Sequence, residues 1–308
     1  MATTSATGIP VARGGAFSAL RYRGIQLIVF GTTFAFTSFW TFNVAQGWLV
    51  LELTDSPALV GIVSACSNLP FLLISLFAGV VADRMDRRRV CLVSRVIVVG
   101  MMLTEATLYW TGLIEIWMMV ILALGAGVGF SLDNPVRQSM VPDLVPPEEL
   151  ANAVALTFGF NNLTNILGPS IAGALLAVAG PGWCFFFTAF GNFMLFSSYV
   201  PLKLPTRHVD RATSPFLQLK QGLKWVRRDE VFYALLIAAG MTAFIQPYQA
   251  MMPVFAKKSL DVGTVQLGML LAAPGFGAVV GSLAVASAGR RGERGKLLFA
   301  GALIAAMG

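Results

Sequence analysis

The sequence predicts an all-α polytopic membrane protein, and three observations carry that prediction. The first is composition. Of 308 residues, 56% are hydrophobic and only 12% are charged, and the mean hydropathy is +0.73. A soluble domain carries about 25% charged residues, so this chain lacks the charge to cover a water-facing surface. The second is length patterning: apolar stretches of about 20 residues, enough to cross a bilayer as a helix, recur along the chain. The third is charge placement, because the basic residues collect in alternate gaps between those stretches.

Taken in order, the apolar segments are 24–50, 57–82, 91–111, 114–134, 149–179, 182–202, 230–256 and 264–288, with a ninth beginning at 297. Residues 297–308 are too few to cross about 30 Å of hydrocarbon at 1.5 Å per residue, so a longer chain is expected. Residues 1–23 are small, polar and basic. They have no apolar core with a cleavage site and read as a cytoplasmic tail rather than a signal peptide. Residues 24–202 then form a six-helix N-terminal bundle. The stretch 203–229, "KLPTRHVDRATSPFLQLKQGLKWVRRD", is a cytoplasmic central linker in which "PFLQLKQGLKWV" has the pattern of an interfacial amphipathic helix. Residues 230–308 hold helices seven and eight and the start of nine. A shift of 207 residues lays Gly61 on Gly268, Arg21 on Arg228 and "DRRR" (86–89) on "ERGK" (293–296). Two parallel repeats of six helices are one known transporter plan.

With the N-terminus in the cytoplasm, the inside gaps hold 20 of the 22 basic residues, and only Lys257 and Lys258 fall outside. The net charge of +7 therefore follows topology, and a nucleic-acid surface is not expected. Cys66, Cys91 and Cys184 are isolated and lack metal or disulfide spacing. His208, the single histidine, lies in the polar linker. No cofactor or metal is expected. Paired acids, a nucleophile with its base, HExxH and GxSxG are all absent from the apolar segments, so the pattern is not that of an intramembrane enzyme.

The densest charge lies in "GVVADRMDRRRV", Gly79 to Val90, between the second and third segments. Arginine at a helix centre costs about 2.5–3.5 kcal/mol, so the arginines fix a cytoplasmic turn. Anchoring does not account for the two aspartates. The stretch Gly79-Val-Val-Ala-Asp83-Arg84-Met-Asp86-Arg87-Arg88 resembles the loop motif of the major facilitator superfamily, G-x-x-x-D-R-x-G-R-R/K, with Asp86 in place of a glycine. "WLVLELTDSPALVGIV" (48–63) and "NPVRQSMVPDLVPPEELANAVAL" (134–156) resemble its drug and siderophore exporters. The resemblance covers the whole chain and implies twelve helices, of which about eight and a half are here. It implies that Asp83 caps a helix of the other half, the eleventh, and that Arg87 pairs with an acid at the inner end of helix four, the position of Asp133. Gly79, Asp83, Arg84, Asp86, Arg87, Arg88 and Asp133 are thus a candidate conformational switch; Asp133 also reads as a simple membrane flank, and Asp86 as one member of a local ion pair.

In helix five, "NNLTNILGPSIAG" places Gly168, Pro169 and Gly173 in a partial match to the exporters' antiporter motif, with Thr164 at its first glycine. The alternative reading of the same residues is an ordinary membrane-helix kink. Polar residues in apolar helices mark either a substrate path or inter-helix hydrogen bonds. On that basis Phe39, Asn43 and Gln46, Asn68, Asn161 and Asn165, and Gln246 are candidate cavity residues. Glu105, inside helix three, is the candidate for proton exchange. The expectation is a monomeric, bacterial inner-membrane, proton-coupled exporter of small amphipathic molecules. A siderophore or metabolite exporter of the same fold and a non-transporting membrane protein or inactive fragment are the alternatives.

Overall fold

A computed structural model describes residues 17–202 and 247–287, with the side chains of 75–84, 247 and 278–287 not described. The described residues form eight α-helices: α1 (Arg23–Thr54), α2 (Pro57–Arg84), α3 (Arg87–Trp110), α4 (Ile116–Met140), α5 (Leu150–Val178), α6 (Pro181–Tyr199), α7 (Pro247–Lys258) and α8 (Thr264–Ser287). No strand occurs among the described residues.

Turn chemistry sets the boundaries. Asp55 ends α1 in the left-handed conformation, φ 49°, and Pro57 opens α2 where its missing N–H costs nothing. Gly112 (φ 70°) and Gly180 (φ 82°) make the turns before α4 and α6, and Pro181 starts α6. The link from α4 to α5 is two 3-10 turns, Val141–Asp143 and Pro147–Glu149, each carrying a proline in its first turn. These connections are short, so successive helices run antiparallel. One end of the bundle therefore collects the start of α1, the α2–α3 turn, the α4–α5 link and the end of α6.

α1 packs on α5 and α6, α2 on α4, and α3 on α4 and α6. α7 lies against α1 and α2, and α8 against α5, so both segments beyond the linker rest on the first six helices. An apolar cluster in one half of the bundle joins Phe42, Leu49, Met102, Met119 and Phe185. A second, toward the arginine-rich end, joins Ile28, Val90, Val136, Leu195 and Tyr199. Large apolar side chains such as Leu72, Val93, Ile121 and Phe193 remain exposed on outward faces, as lipid contact requires.

α1 to α4 are each long and apolar enough to cross a membrane. Asn161, Asn162 and Asn165 dilute α5, which nevertheless packs between α1 and α8. The linker expected over 203–229, the first part of helix seven and the ninth segment lie outside the described residues.

Candidate functional site

The α2–α3 turn is tied to its own bundle by its arginines. Arg87, almost fully buried, pairs with Asp143 Oδ2 at 2.6 Å and donates to the Ser139 carbonyl at 2.8 Å. Arg88 Nε donates to the Tyr199 carbonyl at 3.0 Å, and its Nη2 to the Val200 carbonyl. Both side chains thus sit at helix C-termini, of α4 and of α6, where unpaired carbonyls favour cations. The family resemblance implies a pair between Arg87 and Asp133, and the structure corrects that. The 3-10 turn after α4 presents Asp143 to Arg87, while Asp133 lies more than two helical turns deeper.

Asp86 is the N-cap of α3. Its Oδ1 accepts from the backbone N–H groups of Arg88 (3.0 Å) and Arg89 (3.3 Å), and its backbone is extended, φ −62°. No glycine is needed there, because no positive φ occurs. The expected local ion pair is present as Arg89–Asp86 at 3.5 Å, on exposed side chains. Capping is the stronger of its two interactions. Gly79, Asp83 and Arg84 end α2 where only the backbone is described.

Asp133 is not a membrane flank. It is 2% exposed and accepts from three directions: Arg95 of α3 (Nη2 2.8 Å), Arg137 one turn along α4 (Nε 3.3 Å) and the Tyr199 hydroxyl of α6 (2.8 Å). Arg95 also donates to Asn192 Oδ1 at 2.5 Å and Arg137 to Asn134 Oδ1 at 3.0 Å. The Arg95 guanidinium lies 5.5 Å from the Phe130 ring centre and that of Arg137 5.2 Å from Phe36. One carboxylate therefore faces two buried guanidiniums, with aromatic faces taking up part of the excess charge. Sequence reasoning counted Arg95 and Arg137 among the topological anchors and passed over Tyr199, Asn192 and Asp143. The available signal was spacing: Asp133 and Arg137 are i, i+4, and Arg95 lies two turns inside α3.

Glu105 is fully buried among Met102, Ala106 and their neighbours. Neither carboxyl oxygen has a hydrogen bond of good geometry. The Gln46 amide is its one polar neighbour among the described residues, close enough for a loose hydrogen bond from Nε2 that falls short of good geometry. Gln46 Oε1 accepts from Ser67 Oγ at 2.9 Å, so α1, α2 and α3 meet at one buried polar point. Gln46 was expected on a cavity face with Phe39 and Asn43; instead it is 3% exposed and turned toward α2 and α3. Phe39 packs edge-on against Phe130 of α4, with ring centres 4.9 Å apart. Asn43 and Asn68 donate to carbonyls four residues back, Phe39 and Ser64, and Asn68 is exposed. Asn161 Oδ1 is buried without a partner, and Asn165 is half-buried where its backbone meets α8 at Gly275. Gln246 lies outside the described residues.

Gly168, Pro169 and Gly173 are contact points on two sides of α5. A Cβ on Gly168 would stand 2.7 Å from the Thr37 carbonyl of α1 and collide with Trp40. The Gly168 carbonyl accepts from Thr41 Oγ1 at 3.2 Å. A Cβ on Gly173 would stand 2.6 Å from the Thr264 carbonyl and 3.0 Å from Gly268 Cα, both on α8. Gly173 and Gly268 thus let α5 and α8 cross with backbones nearly touching.

The profile of the family described as transmembrane secretion effector matches residues 14–308. A staphyloferrin A transporter of Staphylococcus aureus is 27% identical over 251 residues, 79% of this chain and 62% of its own length. Macrolide efflux protein A of Streptococcus pyogenes is 23% identical over 253 residues, again 79% and 62%. The chain therefore spans about three-fifths of the length of these relatives. A bacterial homologue of the human lysosomal transporter Spinster, solved inward-facing and unoccupied, superposes with a TM-score of 0.66 at 16% identity, over 86% of this chain and 62% of that one. That likeness establishes the fold.

Proposed function

Because the chain belongs to the transmembrane secretion effector family of major facilitator proteins, we propose that it forms the first half and the start of the second half of a proton-coupled exporter. It moves small amphipathic molecules by alternating access. It lies as a multi-pass monomer in a bacterial plasma membrane, with its N-terminus in the cytoplasm. Macrolide efflux by one relative supports an amphipathic substrate. The staphyloferrin A relative supports a second reading, a polar siderophore-like metabolite, on the same fold.

The observation that carries proton coupling is Glu105: a fully buried carboxyl with no basic partner among the described residues and only the Gln46 amide beside it. A carboxyl held for structure alone would have partners, as Asp133 has. A buried acid without a base can hold a proton and give it up when water or a cation reaches it, as a proton relay requires. Gln46 links it to α2 through Ser67, so the carboxyl's charge bears on how α1, α2 and α3 pack. In the same reading Asp83, Asp86, Arg84, Arg87, Arg88 and Gly79 serve the inner-side switch. Asn43, Asn68, Asn161, Asn165 and Phe39 face the substrate, with Gln246, outside the described residues, assigned to the same role from the sequence alone; Pro169 and Gly173 set the α5–α8 contact on which the halves rock, and Gly168 seats α5 on α1.

The test is efflux driven by an imposed pH gradient in inverted vesicles holding the full-length protein. Cationic dyes, a macrolide and a carboxylate siderophore are offered. Transport is expected for one class, and Glu105→Gln is expected to abolish the gradient-driven component while leaving solute exchange without a gradient. Gradient-driven transport that survives in Glu105→Gln sinks the coupling role. Folded protein that moves no class of solute sinks the exporter reading and favours a non-transporting membrane protein.

A further inference from the structure

Lys257 and Lys258 are the two basic residues that the charge pattern leaves outside the cytoplasmic gaps. The structure gives both a partner on the first half of the molecule. Lys258 Nζ donates to the Asp55 carbonyl at 2.7 Å and pairs with Asp55 Oδ1 at 3.1 Å. Lys257 Nζ stands 5.7 Å from the centre of the Trp48 ring. Asp55 is the C-cap of α1, and its left-handed backbone, φ 49°, leaves its carbonyl beyond the last turn of the helix. Both lysines therefore close on the C-terminal end of α1, where the helix dipole favours a cation. Deeper along the same contact, a Cβ on Gly47 of α1 would stand 3.1 Å from Pro253 Cγ of α7, and one on Gly61 of α2 3.2 Å from Met251 Cε. The lysines thus cap a packed seam between α7 and the α1–α2 pair.

We propose that Lys258–Asp55 and Lys257–Trp48 form an outer latch that holds the two halves together and parts when the outer side opens. This rests on the alternating access and orientation proposed above. Strength supports the assignment. Asp55 is 78% exposed and Lys258 37%, so their pair forms in water, where attraction is weak and screened by salt. A contact broken in every transport cycle has to be weak. A buried network such as that of Asp133 is too costly to open. The latch also explains two lysines on a face where charge does nothing for insertion.

The test uses the full-length protein in lipid nanodiscs, with Cys66→Ser to remove the half-exposed native thiol. Spin labels at Leu53→Cys and Leu260→Cys, both exposed, report the outer ends of α1 and α7. Labels at Met85→Cys, in the α2–α3 turn, and Ser287→Cys, at the end of α8, report the inner side. Pulsed electron resonance then gives the populations of short and long distances. Lys258→Gln or Asp55→Asn is expected to raise the ratio of open to closed at the outer pair about two- to fivefold, the range of an exposed ion pair. Adding Lys257→Gln is expected to raise it further. High salt is expected to shift the unmodified protein, to shift Lys258→Gln less, and to leave the double variant with Lys257→Gln where it is. An outer distribution that ignores these changes, while the inner pair samples two distances, overturns the latch and leaves alternating access standing. A single distance at both pairs under every pH and solute overturns alternating access, and the latch with it.

Discussion

Asp133 has the most to lose from a single change. Its carboxylate is the only acid bonded to Arg95 and Arg137 among the described residues, and Tyr199 completes its shell. Asp133→Asn leaves two guanidiniums buried against a neutral amide. The expected cost is about 3–5 kcal/mol, the usual penalty for breaking a buried pair from one side. Thermal unfolding of the purified protein in detergent checks it. Tyr199→Phe removes one hydrogen bond to a charged group and is expected to cost about 1.5–3 kcal/mol. If Asp133→Asn is no worse than Tyr199→Phe, the network carries less than its geometry implies. The i, i+4 spacing of Asp133 and Arg137 was readable in the chain, but Arg95 comes from another helix. Only packing brings it within 2.8 Å.

At the scale of elements, the informative contrast is between a cap and a crossing. Asp86 starts α3 through two backbone N–H groups, so Asp86→Ala is expected to cost about 0.5–2 kcal/mol and Asp86→Ser little. Equal losses in the two variants, measured by thermal unfolding, would mean that the carboxylate charge matters more than the cap. The α5–α8 crossing is different in kind. Gly173→Val and Gly268→Val each force a side chain into backbone of the facing helix. They are expected to abolish transport while the six-helix part keeps its protease resistance, because the clash lies between the halves. Wild-type efflux from either variant would remove the crossing from the mechanism. The sequence marked Gly173 as special but did not show which helix it meets; the weak repeat set Gly268 opposite Gly61, not opposite Gly173.

For the whole molecule, the charge pattern and the fold make one joint prediction about sidedness. In a Cys66→Ser background, Met85→Cys in the α2–α3 turn is expected to react with a membrane-impermeant maleimide only from the cytoplasmic side. Ser56→Cys in the α1–α2 turn is expected to react only from outside. Cys91 and Cys184 are buried and stay silent. Labelling of both positions from one side would refute the antiparallel pair that the turns build.

The sequence by itself determined the membrane class and the helices among the described residues, and it set the sidedness to be tested, because each depends on local composition: apolar length, proline and glycine at the turns, and arginine in alternate gaps. It also marked Asp83, Asp86 and Glu105 as charges that topology does not require. Only the tertiary structure decided the partners. It moved Arg87 from Asp133 to Asp143, turned Gln46 from a cavity face toward Glu105, and gave Lys257 and Lys258 an anchor on α1. Composition sets the free energy of entering the membrane one segment at a time. Which charges meet inside it depends on crossings set by small residues on different helices, and no local pattern in the chain encodes those.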